Sequence, residues 1–279
     1  MKRHPECYPC ALRQALNLAR HHGANNDEQM QLMHDAMMVL VDAELTPQQP
    51  RLASNMHDLL RQRFPGTDPY RALKDQSTTK ALALYPRLKE IVSQSADPCD
   101  TAVRLAIAGN IIDYGPADAY DLEASVDRVL HQALAIDHIA RLQDALGRAS
   151  WVLFLGDNAG ETVFDRVLVE EMTLPVTYVV KGSPVINDAT REDAVAAGLE
   201  PLVRLVDNGT DVAGTVLPRC SDEFLSLFRS AEVIVAKGMG NYETLSTEGP
   251  RLFFLLQSKC EPVSRDLGVP VGSLVVKQG

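Results

Sequence analysis

The chain has 279 residues, 46% hydrophobic and 23% charged, with a net charge of −10 from 27 basic and 37 acidic residues. That composition is ordinary for a soluble globular protein and is long enough for one large domain or two smaller ones. The acidic balance, with no Lys/Arg block, argues against nucleic acid and anionic membranes as partners, and no apolar run approaches the roughly 18 residues of a membrane span.

The start, Met1-Lys-Arg-His-Pro-Glu-Cys7, lacks the apolar stretch of a secretory leader. Five cysteines, an odd number, fit reduced thiols better than a disulfide scaffold. A cytoplasmic location is therefore expected. From Glu6 to about Arg148 the periodicity is helical. Leu12, Ala15, Leu16 and Ala19 recur at helical spacing within 10–20, and Met33, Met37, Met38 and Val41 do so within 30–45. Pro47 to Pro50 interrupts the pattern. Leu52 to Phe64 forms a third helix stopped by Pro65-Gly66, and Tyr70 to about Ser95 a fourth, with a kink expected at Pro86. Helices over 102–112 and 122–146 follow, with little strand signal before Trp151.

From Trp151 onward short β-forming runs alternate with helical stretches. The expected strands are 151–155, 176–181, 202–206, 233–236, 252–256 and 273–277. Helices are expected near 160–172, 189–197, 221–229, 241–247 and 261–267. This alternation predicts an α/β fold: a three-layer α/β/α domain with a mostly parallel sheet, at about 101–279, preceded by a helical N-terminal subdomain at about 1–100. In such a sheet the ligand crevice lies at the carboxyl ends of the strands.

Three polar clusters follow three of these strands. The first is Gly156-Asp157-Asn158-Ala159-Gly160-Glu161. One such residue serves as a helix cap, but Asp157, Asn158 and Glu161 together exceed what a cap needs. Asp157 and Asn158 suit a divalent cation as oxygen ligands. The second is Lys181-Gly-Ser-Pro-Val-Ile-Asn187-Asp188, one βα unit later, which would bring Asp188 to the same cation. Lys181 reads as a solvated strand flank or a point charge for phosphate. The third is Lys237-Gly238-Met239-Gly240-Asn241-Tyr242-Glu243. Its glycines before a helix let amides approach a phosphate. Glu243 occupies the third glycine position of a dinucleotide fingerprint and Lys precedes the glycines, so neither that motif nor a Walker loop is present.

In the helical half, Gly109-Asn110-Ile-Ile-Asp113 places two polar groups one turn apart on an apolar helix, as satisfied core groups or as site residues. Cys7-x-x-Cys10 has metal or redox spacing but no second pair near it in sequence. No His-x-x-x-His pair, nucleophile elbow or D-x-D-x-T/V motif of the haloacid-dehalogenase phosphatases occurs.

At these residues the chain resembles the metal-dependent damage-control phosphatases, first catalogued as a domain of unknown function, and most nearly their compact prokaryotic branch. The resemblance covers nearly the whole chain. Its strings are Cys7-Tyr-Pro-Cys10 with Arg13-Gln14, Asp68-Pro-Tyr70, Leu105 to Asp113, Gly156 to Glu161, Val180 to Thr190 and Ala236 to Glu243. The resemblance implies a divalent cation (Mn, Mg, Co or Ni) held by Asp157, Asn158 and Asp188. It places the phosphate-binding lysine at Lys237 and Asn110 near the site. Small phosphorylated metabolites, such as sugar phosphates or damaged cofactor precursors, are the implied substrates. The Arg-x-x-Lys motif of the larger eukaryotic branch is not visible, since Lys237 follows Ile-Val-Ala.

The expected activity is metal-dependent phosphomonoester hydrolysis. Asp157, Asn158 and Lys237 are its catalytic candidates; Asn110, Glu161, Lys237, Gly238, Gly240 and Asn241 are its phosphate and substrate contacts. Two nucleophiles fit, a water or the Asp157 carboxylate. The competing readings are a non-catalytic metal- or nucleotide-binding module and a transferase acting on a phosphorylated metabolite. Tyr114, Met239 and Tyr242 are candidate pocket neighbours.

Overall fold

The computed structural model describes residues 4–42, 50–64, 68–110 and 122–279. Five helices open the chain: α1 (Cys7–His21), α2 (Asn26–Asp42), α3 (Pro50–Arg63), α4 (Arg71–Gln94) and α5 (Pro98–Gly109). Helix α4 runs unbroken through Pro86. Asp97 caps α5 by accepting from the Asp100 amide, and Pro98 stands at its first position.

The expected long helix over 122–146 is corrected. It divides into α6 (Leu122–His131), strand β1 (Leu134–Asp137) and α7 (Ile139–Arg148). Four residues of alternating half-buried and exposed side chains carry too little signal to stand out from flanking helices. The rest alternates: β2 (Val152–Leu155), α8 (Glu161–Glu170), β3 (Val176–Val180), α9 (Arg191–Ala196), β4 (Arg204–Asp207), α10 (Asp222–Ser230), β5 (Val233–Lys237), α11 (Gly238–Leu245), β6 (Leu252–Gln257), α12 (Glu261–Leu267) and β7 (Leu274–Gln278).

The sheet order is β1-β7-β6-β5-β2-β3-β4. Every neighbouring pair is parallel except β6 with β7. Strands buried on both faces read as continuous apolar runs, and Val-Leu-Phe-Leu of β2 shows how the faces divide. Val152 and Phe154 enter one core with α5, α8 and α9, whereas Leu153 and Leu155 enter the other with α10, α11 and α12. Helix α4 packs against α8 and shares the first core through Ala81, Leu88 and Val92. Helices α1 to α3 bury a third cluster of their own, centred on Ala15, Leu18, Leu32, Met56 and Leu60.

Candidate active site at the carboxyl edge of the sheet

The adjacency of β5, β2 and β3 brings the three polar clusters to one edge. Asp157 and Asn158 follow β2, and the loop after β3 folds back to meet them. An isolated bridge joins Asn158 to Asp188, the Ala189 amide donates to the Asp157 carbonyl at 2.7 Å, and the Ala159 amide to the Asn187 carbonyl at 3.0 Å. Asp157 and Asp188 are thus fixed by backbone bonds. Gly238, directly after β5, has φ +77°, and a Cβ there would overlap Asp157 Oδ2. A glycine is needed for both the conformation and the approach.

Glu161 opens α8 and is fully buried. Its Oε2 accepts from Asn110 Nδ2 and Asn158 Nδ2, each at 3.0 Å, and its Oε1 accepts from Lys237 Nζ at 2.6 Å. Both carboxamides also donate to Asp157 Oδ2, at 3.0 Å from Asn110 and 3.1 Å from Asn158. With its Nδ2 so occupied, Asn158 has its Oδ1 on the opposite side of the amide. Asn110 Oδ1 and Asp188 Oδ2 are buried without a hydrogen-bond partner. Asp188 Oδ2 lies 3.4 Å from Lys181 Nζ, an ion-pair distance without hydrogen-bond alignment.

The burial of negative charge is the main electrostatic fact. Burial pushes the Asp157 carboxyl well above the usual carboxylate range, and the charges of Glu161 and Asp188 push it further, while Lys259 and Lys181 pull it back. Burial also raises Asp188, against the pull of Lys181 and Lys74. Deeper in, burial lifts Asp165 to about 6 despite its ion pair with Lys237. Asp157, Asp188, Glu161 and Asp165 are four carboxylates gathered around two buried ammoniums, Lys181 and Lys237. With all four ionised they exceed these two buried ammoniums by two negative charges, the charge of one divalent cation, and the half-buried Lys259 is a further cation acting on Asp157. Asp157, Asn158 and Asp188 supply oxygen donors of the kind Mg²⁺ and Mn²⁺ accept, so the residues present fit such an ion. Among the described residues no three His, Cys, Asp or Glu side chains form a ready metal cage. The donor set is two carboxylates and an amide, which leaves coordination positions for water and substrate.

Three expected substrate contacts are engaged with partners inside the protein. Lys237 is fully buried, and its ammonium donates to Glu161, Asp165 and, at 2.8 Å, the Ala106 carbonyl, so all three donors are used. Burial alone would lower its pKa, but Asp165 and Glu161 outweigh that and hold it above its ordinary value. Glu161 is enclosed with it. Asn241 accepts from Thr215 Oγ1 at 2.7 Å and donates to the Lys237 carbonyl at 2.9 Å and the Gly156 carbonyl at 3.3 Å, tying β5 to β2. The helical spacing of Glu161 and Asp165, one turn apart among the apolar residues Val163, Phe164, Val167 and Leu168, is the sequence signal for this buried cluster. Gly240 lies against Gly214. Met239 Sδ accepts from the Lys259 amide at 3.3 Å, and Tyr242 is buried with its hydroxyl donating to Asp266 at 2.8 Å. Asp113 and Tyr114 lie outside the described residues.

Two further groups escape sequence reading. Lys181 is 5% exposed, with its ammonium on the Gly214 carbonyl and near Asp188. Lys74, also buried, pairs with Asp68 at 2.9 Å and Asp193 at 3.4 Å, while Arg71 binds Asp193 at 2.6 Å. Asp193 in turn closes a capping box with Thr190, two residues beyond Asp188. The Asp68-Pro-Tyr string therefore joins the start of α4 to the loop that carries Asp188. Cys7, Cys10, Cys99, Cys220 and Cys260 are all free thiols.

Comparison with known proteins agrees with this fold. A family model for the damage-control phosphatase ARMT1-like domain matches residues 3–275. A damage-control phosphatase of Pyrococcus horikoshii is 36% identical over 282 residues, covering 99% of this chain and 97% of the relative. One of Archaeoglobus fulgidus is 34% identical over 287 residues, covering 99% of each. The crystal structure of a DUF89 family protein from Pyrococcus horikoshii superposes with a TM-score of 0.87 at 34% identity, over 100% of this chain and 99% of that one. The chain belongs to the ARMT1-like damage-control phosphatases.

Proposed function

We propose that this phosphatase is a divalent-cation-dependent phosphomonoester hydrolase acting on small phosphorylated metabolites in the cytoplasm. The observation that carries the reading is the surplus of two buried negative charges around Asp157, Asn158 and Asp188. Mn, Mg, Co and Ni all suit oxygen donors. A bound cation would neutralise a phosphoryl oxygen and orient the reacting groups.

The protein's own residues do the rest. Asp157 and Asp188 are held beside one another because backbone bonds join their two loops. Asn158 offers Oδ1 because Glu161 and Asp157 hold its Nδ2. Lys237 and Glu161 act as positioning groups behind these ligands. The start of α11 at Gly238 brings a helix N-terminus beside Asp157, where its amides favour the phosphoryl oxygens. The charge of Lys259 acts on Asp157 and favours an anionic group beside it.

The test is phosphate release from p-nitrophenyl phosphate and a panel of metabolite phosphates by chelator-treated protein, with Mn²⁺, Mg²⁺, Co²⁺ or Ni²⁺ restored singly. Release that requires a cation is expected. Asp157→Ala and Asp188→Ala should each lower it by at least about a hundredfold with the melting temperature retained. Full activity in the chelator, or in either variant, would overturn the assignment.

A further inference from the structure

Asp165 lies one helical turn below Glu161 on α8 and is fully buried. Its Oδ1 faces the Lys237 ammonium and its Oδ2 accepts from the Tyr178 hydroxyl at 2.7 Å. Neither oxygen is directed at a site ligand. Tyr178 is itself fully buried on β3, and a Cβ on Gly156 would meet its hydroxyl. Asp165 is therefore sealed from both solvent and substrate, yet it shares one ammonium with Glu161, which touches Asn110 and Asn158 directly.

The charge count gives this arrangement a purpose. Lys237 and Glu161 alone would form a neutral pair, and Asp157, Asp188 and Lys181 would leave a surplus of one negative charge. With one surplus negative charge instead of two, the site attracts a divalent cation more weakly. Asp165 supplies the missing charge without occupying the site. Because both carboxylates sit on the same ammonium, Asp165 cancels Lys237 and leaves the charge of Glu161 acting on the cation position through two carboxamides.

We propose that Asp165 is a positioning residue that sets the charge of the site, acting through Lys237 and Glu161 to strengthen its hold on a divalent cation. The proposal rests on the cation-site reading above, and its test separates the two. Mn²⁺ binding to chelator-stripped full-length protein is measured by calorimetry near neutral pH for the wild type, Asp165→Asn, and the pair Asp165→Asn with Lys237→Met. The pair removes one charge of each sign and so restores the surplus of two.

Asp165→Asn should weaken Mn²⁺ binding by about tenfold to a hundredfold, as loss of a group behind the ligands does. The pair should return to within about threefold of the wild type. Structural damage to the core would be deepened by the second substitution, so recovery is a signature that damage cannot give. Equal affinity in Asp165→Asn and the wild type would overturn the proposal and leave the cation site standing, as would a pair no tighter than the single variant. A wild type that binds no Mn²⁺ would overturn both. Should Asp165→Asn fail to fold, the pair decides: near wild-type affinity supports the proposal, and a tenfold loss refutes it.

Discussion

At the scale of single residues, the site depends on the absence of a side chain. Gly238 follows β5 with φ +77°, and the space a Cβ would take is filled by the Asp157 carboxylate. Gly238→Ala should therefore cost about 1–2 kcal/mol of stability for the left-handed backbone. It should cost activity out of proportion, because Asp157 must turn away to make room. We expect the melting temperature to fall by a few degrees while kcat falls by about tenfold or more. Steady-state kinetics beside thermal melting would show it, and unchanged kcat would mean that the contact is incidental. The sequence singled out Asp157 and Asn158 because, with Glu161, they exceed what a helix cap needs, and Asp188 because it follows one βα unit later. It did not show how Lys237 is enclosed, since a lysine after a strand looks the same whether it points to solvent or is surrounded by Glu161, Asp165 and Ala106.

At the scale of elements, the loop between β3 and α9 is held from two sides. On one side it bridges to Asn158. On the other, Asp193 meets Lys74 and Arg71 of α4, and Ile186 packs against the cluster formed by α1 to α3. Ile186 has φ +46°, the one positive value at a non-glycine among the described residues. A β-branched residue there is strained, and its packing on the helices holds it. Lys74→Met would leave Asp68 buried without its ammonium and Asp193 with Arg71 alone. Breaking such a pair costs about 3 kcal/mol or more. Urea unfolding should register that loss, and the Mn²⁺ affinity should weaken with it because Asp188 is carried by the same loop. A stable variant with normal affinity would show the clasp to be dispensable. This clasp was not legible in advance, because Asp68, Lys74 and Asp193 are far apart in the chain and lysine and aspartate are ordinary surface residues. Strand β1 was hidden for a different reason: an edge strand of four residues spans only two periods of alternation and has no flanking turn signal.

At the scale of the whole molecule, the layered fold concentrates negative charge at one edge, and stability should report it. Burial raises the carboxyls of Asp157, Asp165 and Asp188 above their ordinary value of 3.8, Asp165 to about 6. A raised carboxyl contributes stability that is complete below its unfolded pKa and is lost as pH rises through the folded one. Cation-free protein should therefore lose this contribution between about pH 4 and 6 and above. A divalent cation binds the ionised carboxylates, so the rise in melting temperature that Mn²⁺ produces should be small near pH 4 and grow toward neutrality. Melting curves with and without Mn²⁺ across that range would test it, and a rise independent of pH would contradict it. The overall architecture was the most legible feature, since apolar runs alternating with helical stretches leave few alternatives to a parallel sheet between helical layers.

The reversed strand β7 has a consequence for how the chain is made. It lies between β6 and β1, and Gln278 donates its amide to His138, a residue 140 positions earlier. A ribosome delivers β1 long before β7, the one strand among the described residues that hydrogen-bonds it, and β6 must wait with an uncovered edge for the same segment. Such late, long-range closure is slow, and an open edge invites pairing with another chain. The nascent protein is thus most vulnerable to self-association in the interval between the emergence of β6 and of its final strand, and shortening that strand should tip newly made chains from folding into aggregates.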